Sequence, residues 1–266
     1  MGKYLRIFGV GLQNSLVYRW NFCLRVLFEI VPLFGTVYLW RALFGTRTSE
    51  IGGYDFQSMV YYFLLTAMVS SLITPTDDEW QIASDIRDGQ INSLLVKPVS
   101  YFAYRLGLFV GNRASSALFS VPILFLLFTY FHDYVILPNH ISTWIVAGFS
   151  LVLACLLQFF LAYAIAMIAF WLLEISTVVF IVFSFEYFLS GHLFPLDLLP
   201  EWFRRVQMWL PFTYELYFPV AVFQEKISGR QVVEGLVIQC GWVVGAWVLG
   251  RWMWTRGLRR YQAVGG

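Results

Sequence analysis

Charge is what this sequence has least of. Asp, Glu, Lys and Arg together make up 13% of the 266 residues, about half the share found in an ordinary globular domain. So few charges cannot cover the surface of a soluble protein of this length, whereas lipid accepts an apolar surface directly. The balance is near neutral, net +2, and the basic residues form neither a run nor a stripe, which argues against a nucleic-acid partner. Cysteine is scarcer still in number, with three residues. Cys23, Cys155 and Cys240 each fall in an apolar stretch. Their spacing matches neither a metal site nor a disulfide framework, so they read as small buried apolar residues. The phosphate-cradling pattern GxxxxGK(S/T) is absent, so the chain is not expected to hydrolyse ATP itself. HExxH, GxSxG and His/Asp/Glu clusters at metal-ligand spacing are absent too. Residues 1–20 carry Lys3, Arg6 and Arg19 with no continuous apolar core, so no cleavable signal peptide is expected. No internal repeat stands out, including the inverted three-span halves of many secondary transporters.

What fills the sequence is apolar: 59% hydrophobic residues, 20% aromatic ones and a mean hydropathy of +0.67. Six apolar stretches are long enough to span a bilayer, at about 21–44, 57–74, 104–131, 143–172, 175–194 and 232–254. The expected fold is an all-α integral membrane protein, a single transmembrane domain over residues 1–266. Ahead of the first span, Leu5, Phe8, Leu12 and Leu16 recur at helical spacing, with Lys3, Arg6, Gln13 and Asn14 mainly on the other side. That pattern predicts an interfacial amphipathic helix over 1–20; a soluble helix packed on a protein partner would share it.

Lysine and arginine bias sets the expected orientation. With the N-terminus cytoplasmic, twelve of them lie at inner ends and six at outer ends. Both termini and segment 75–100 then face the cytoplasm from a cell's inner membrane, and segment 191–230 faces out. The inner segment is the most polar of the chain. Thr76 and Glu79 have capping-box spacing, and Asp77 and Asp78 fall in the first turn, where the helix dipole favours acids. The helix should stop at Gly89, and a second short helix, 90–96, should end before Pro98. This is a structured elbow. Trp80, Ser84 and Arg87 recur at four- and three-residue intervals and share a face. A Trp among charges suits either a partner's pocket or the lipid headgroups. In the outer segment, Pro195, Pro200, Pro211 and Pro219 cut an aromatic-rich stretch into short helices on or in the outer leaflet. Irregular backbone at that depth must be covered by protein or line a watery cavity.

Charges inside spans are the sharpest candidates for function, since each costs about 2.5–3.5 kcal/mol at a helix centre. Arg25 and Glu29 are four apart and can pair along one helix face. Arg113 can snorkel from the inner third of its span. Glu186 lies mid-span beside Ser184 and Tyr187, with no evident local partner, and can be structural or line a pathway. His132, His140 and His192 read as ordinary interface residues.

Two stretches carry a resemblance. DIRDGQINSLLVKPVSYFAYRLG, Asp85 to Gly107, resembles the loop after the second span in type-2 ABC transporter permeases. SGHLFPLDLLPEWFRRVQMWLPFTYELYFP, Ser190 to Pro219, resembles the outer loop of the same family. The order of elements matches along essentially the whole chain, a layout like that of type V ABC exporters. The resemblance implies a machine of two permease subunits, identical or related, with two ATPase subunits docked on the cytoplasmic face and carrying the ATP and Mg. It implies that the interfacial helix (Lys3, Arg6, Phe8) and the elbow (Asp77, Asp78, Glu79, Trp80, Ser84, Arg87, Gly89) transmit ATPase closure. It further implies export of an amphiphile such as a lipid, glycan or drug. Two other classes stay open: a secondary transporter or channel using Glu29 and Glu186, and an intramembrane lipid enzyme, which would need a polar catalytic cluster that is not found.

Overall fold

The computed structural model describes residues 7–10, 13, 19–46, 50–73 and 78–261, leaving aside the side chains of residues 19, 21–23, 25, 26, 29 and 46. Among the described residues the chain is helical, and the one pairing of extended backbone is an isolated bridge between Ile51 and Tyr54. The helices are α1 (Arg19–Thr46), α2 (Phe56–Ile73), α3 (Asp78–Arg87), α4 (Ile91–Leu95), α5 (Tyr101–Tyr130), α6 (Ile141–Ala166), α7 (Ser176–Leu189), α8 (Glu201–Gln207), α9 (Tyr217–Phe223) and α10 (Arg230–Arg260). Short 3-10 turns extend α6 at Met167–Phe170 and flank α8 at Leu196–Leu198 and Pro211–Tyr214. Four helical stretches, opened by Phe56, Tyr101, Ile141 and Arg230, are long and apolar enough to cross a membrane. Ile30–Gly45 and Ser176–Leu189 are shorter apolar helices. The chain is an all-α membrane protein.

Apolar pattern decides which helices lie inside. A helix that is hydrophobic all round can only be a core helix or a lipid-facing one. α2 is the core case: Met59 to Thr66 are buried without a break, against Leu33, Val37 and Trp40 of α1 and Leu124 and Leu127 of α5. α6 is the second centre, with Leu157, Phe159, Phe160 and Tyr163 packed against α10 and α9. α5 and α10 instead leave Phe125, Leu126, Val237, Val244 and Val248 exposed, surface that lipid or a second subunit would cover. One polar clasp crosses the packing. Gln239 of α10, fully buried, donates to the Ser150 and Tyr214 carbonyls, each at 2.9 Å, and accepts from the Ser150 hydroxyl at 3.0 Å. Such interhelical bonds contribute about 0.6–2 kcal/mol in membranes.

α7 is shorter than the stretch 175–194 expected for it. Its 14 residues rise only about 21 Å, against about 30 Å of hydrocarbon. The helix stops because Gly191 adopts φ 97°, a conformation that only glycine takes without strain. A side chain there would also meet the Tyr62 hydroxyl, 2.6 Å from where its Cβ would sit. The carbonyls freed by this break are held by protein. Gln207 Nε2 donates to Leu189 O (2.6 Å), the Tyr217 N–H to Ser190 O (3.0 Å), and the Tyr62 hydroxyl to Gly191 O (2.7 Å). Backbone that leaves a helix at membrane depth requires such cover.

The two ends of the bundle separate cleanly. At one end, Ile7 lies against Gly107 of α5, Trp254 stacks on Tyr101 with centroids 5.0 Å apart, and the Tyr261 hydroxyl approaches Gly89. At the other, Gln57 reaches the Asp133 carbonyl (3.2 Å), Lys226 the Gly53 carbonyl (2.7 Å), and Thr143 the Glu225 carboxylate (2.7 Å). The helical piece 7–10, the elbow α3–α4 and the end of α10 therefore share one face.

Candidate functional site

The elbow is clamped from below. Asp85 and Arg105, side chains 12% and 6% exposed, form an ion pair between α3 and the start of α5. The Tyr101 hydroxyl donates to Asp85 at 2.8 Å and accepts from Arg105 Nε at 3.1 Å. Arg105 also donates to the Gln81 side chain (3.3 Å) and carbonyl (3.1 Å). A buried pair is tolerated only when its remaining donors and acceptors are satisfied, and this one makes four further hydrogen bonds, to Tyr101 and Gln81. Ile82, Ile86 and Ile91 seal it against α6. Gly89 ends the helix at φ 75°, the left-handed conformation that favours glycine there. On the outside, Arg87 pairs with Asp88 at 3.1 Å. The Ser84 hydroxyl donates to Asp88 at 2.6 Å and, with Arg87, holds that carboxyl below its ordinary range.

Asp78 and Glu79 do open α3, but both are buried, 4% and 1% exposed. They face inward, away from the docking surface expected of them. Trp80 is 40% exposed, Ser84 half-buried and Arg87 exposed. Thr76 and Asp77 lie outside the described residues, as do Lys3 and Arg6, while Phe8 is half-buried in the helical piece 7–10. The side chains of Arg25 and Glu29 lie outside the described ones.

Glu79 and Trp80 instead begin the wall of a cavity of about 480 Å³ lined by α1, α2, α3, α7 and the turn after Tyr214. It follows α2 from Ile73 through Ser70 and Thr66 to Phe63, about 15 Å at 1.5 Å per residue. Glu186 enters from α7 and Glu215 from the segment before α9. Glu186 lies within electrostatic reach of both Glu79 and Glu215. Both Glu215 oxygens are buried without a hydrogen-bond partner. His192 lines the same space, between the Ser190 (2.7 Å) and Ser70 (3.0 Å) hydroxyls, with Tyr187 stacked on its ring at 4.9 Å. It is thus a cavity residue, unlike the exposed His132 and His140. Arg113 lies outside the cavity. Its guanidinium sits over Phe109 at 4.8 Å, with Nε and Nη2 buried.

Sequence reasoning missed Glu215, His192, Asp85 and Arg105 as parts of a site. Glu215 gave one usable signal, an acid flanked by Tyr214, Leu216, Tyr217 and Phe218 in an otherwise aromatic loop. The pair Asp85–Arg105 spans twenty residues and two helices, which no local period shows.

The model of the ABC-2 family transporter proteins matches residues 30–265, from the first apolar helix to the last, including elbow, cavity and short outer helices. The chain belongs to the ABC-2 transporter family. Comparison with curated protein sequences returns no match. The family assignment agrees with the resemblance carried by the elbow and outer-loop motifs, and it makes the chain a membrane transport component of the kind that works with ATPase components.

Proposed function

We propose that the chain is the permease subunit of an ATP-driven exporter of amphiphilic molecules, energised by two ATPase subunits on separate chains and paired with a second permease of the same or a related kind. The elbow face is cytoplasmic on this reading, with six membrane crossings, α7 completing its own through the covered backbone that follows it. The observation that carries the proposal is the mechanical state of the elbow. α3 is locked to α5 by Asp85, Arg105 and Tyr101, so a push on it moves whole spans. Its outer side offers Trp80, Arg87, Gln90, Ser93 and Lys97 to a partner. Through Glu79 and Trp80 the same helix forms the end wall of the cavity, so a displacement of α3 reshapes that cavity directly. The substrate class follows from a mostly apolar space, open to a bilayer setting, that contains a few polar groups.

The test is co-purification from native membranes in mild detergent. A Walker-motif ATPase retained by the tagged chain, with hydrolysis stimulated by the permease, is the expected result. A chain that recovers no ATPase while remaining folded overturns the proposal.

A further inference from the structure

We infer that the cavity binds a hydrophobic organic cation, an ammonium or comparable charge on an apolar body. The inference deepens the permease reading and rests on it for its biological sense. Glu186 and Glu215 line the space beside Glu79, and among the described lining residues there is no Lys or Arg. An acidic cluster alone would say little, but Glu215 adds a separate observation. It is 1% exposed, lines the cavity, and has both oxygens buried with no hydrogen-bond partner. A buried carboxylate left unpaired is strongly disfavoured unless a counter-charge arrives or it takes up a proton. The rest of the wall tells which counter-charge fits. Phe63, Trp80, Phe183 and Tyr187 are among the lining residues, and aromatic rings attract weakly hydrated organic cations. Among the described residues no three His, Cys, Asp or Glu side chains converge as metal ligands. The volume suits a drug-sized molecule.

The experiment measures equilibrium binding of radiolabelled tetraphenylphosphonium to the purified full chain in nanodiscs, without ATPase. Tetraphenylborate, of the same shape and opposite charge, is the comparison. The expected result is saturable phosphonium binding, at least tenfold weaker in Glu215→Gln and in Glu186→Gln, unaltered in Glu234→Gln, and much weaker or no binding of the borate. Two variants are used so that misfolding of one, seen as a lost thermal transition, leaves the other to decide. An alkyltrimethylammonium and a dialkyl cationic lipid are added as competitors. Displacement by the first points to a soluble amphiphile and by the second to a lipid, and displacement by neither overturns the inference. Equal binding of phosphonium and borate, or full phosphonium affinity in both folded Gln variants, also overturns it. Because no ATPase is present, these failures are distinct from failure of the permease reading, which the co-purification decides.

Discussion

Removing Arg105 should release the elbow while leaving the spans inserted. In Arg105→Ala, Asp85 keeps the Tyr101 hydroxyl at 2.8 Å but loses its counter-charge in a place only 12% exposed. Breaking a buried ion pair by deleting one partner costs about 3–5 kcal/mol. At the low end that raises the ratio of released to docked elbow about 100-fold, since about 1.4 kcal/mol is a factor of ten. The released state can be counted by limited trypsinolysis, because the exposed Arg87 closes α3 just ahead of α4 and cleavage follows the open population when reclosing is fast. Asp85→Ala should behave similarly. Tyr101→Phe, which removes one bond to each member of the ion pair, should cost about 1.5–3 kcal/mol and raise cleavage at least about tenfold. The double variant Asp85→Ala/Arg105→Ala should be far less damaging than the two single effects added together, since neither charge is then stranded. Less than a tenfold rise in both single variants, or strict additivity in the double, would falsify the clamp.

Three further outcomes are expected. Cysteines placed at the exposed Ser93 and Ser228, in a chain lacking its native cysteines, should label with a membrane-impermeant thiol reagent only from the cytoplasm and only from outside, respectively; labelling of Ser93 in intact cells reverses the orientation. Trp80→Ala should weaken ATPase retention by about 2 kcal/mol, as interface anchors do, and Arg87→Glu should weaken the same contact; wild-type retention with intact coupling in both would move the docking site elsewhere. Asp55 accepts the Ser58 N–H at 3.0 Å and caps α2. Its bond to the Ser58 hydroxyl, above all, holds its pKa below the ordinary value, so the contribution is full above about pH 3.9 and is lost as pH falls through the lowered folded value. Asp55→Ala should therefore lower the thermal transition at pH 7 by the equivalent of about 1 kcal/mol, and by progressively less as the pH falls below about 3.9.

The helices were largely legible, for a physical reason. Lipid demands long apolar stretches and satisfied backbone, so stretches 57–74 and 104–131 correspond to α2 and α5 within about three residues. Gly89 and the prolines at 195, 200 and 211 punctuate the chain where their backbone constraints require. The exception was α7, cut short at Gly191 by contacts from Tyr62, Gln207 and Tyr217, which come from distant parts of the sequence. The site was legible only in fragments. Glu186 stood out because a mid-span charge is costly, and Glu79 because of its place at a helix start. Nothing local says that these two meet Glu215 across a shared space. Asp78 and Glu79 read as surface acids because polar residues at a helix start usually are solvated, and here α3 packs against α6 and both acids are buried.

The broken end of α7 has a consequence for how the protein can change shape over evolutionary time. Its three carbonyls are held by α2, by α8 and by the start of α9, so the spacing between residues 189 and 217 is fixed at several points at once. A residue inserted between Phe194 and Leu210 would shift Gln207 or Tyr217 off its acceptor and strand a carbonyl at membrane depth. The connection 132–140 is held by fewer distant bonds, from Gln57 to the Asp133 carbonyl and from the nearby Trp144 to the Pro138 carbonyl, and its exposed Ile136 and Leu137 belong to a stretch that can lengthen more readily. Length variation among relatives of this chain should accumulate in that connection and be rare in the segment that follows α7.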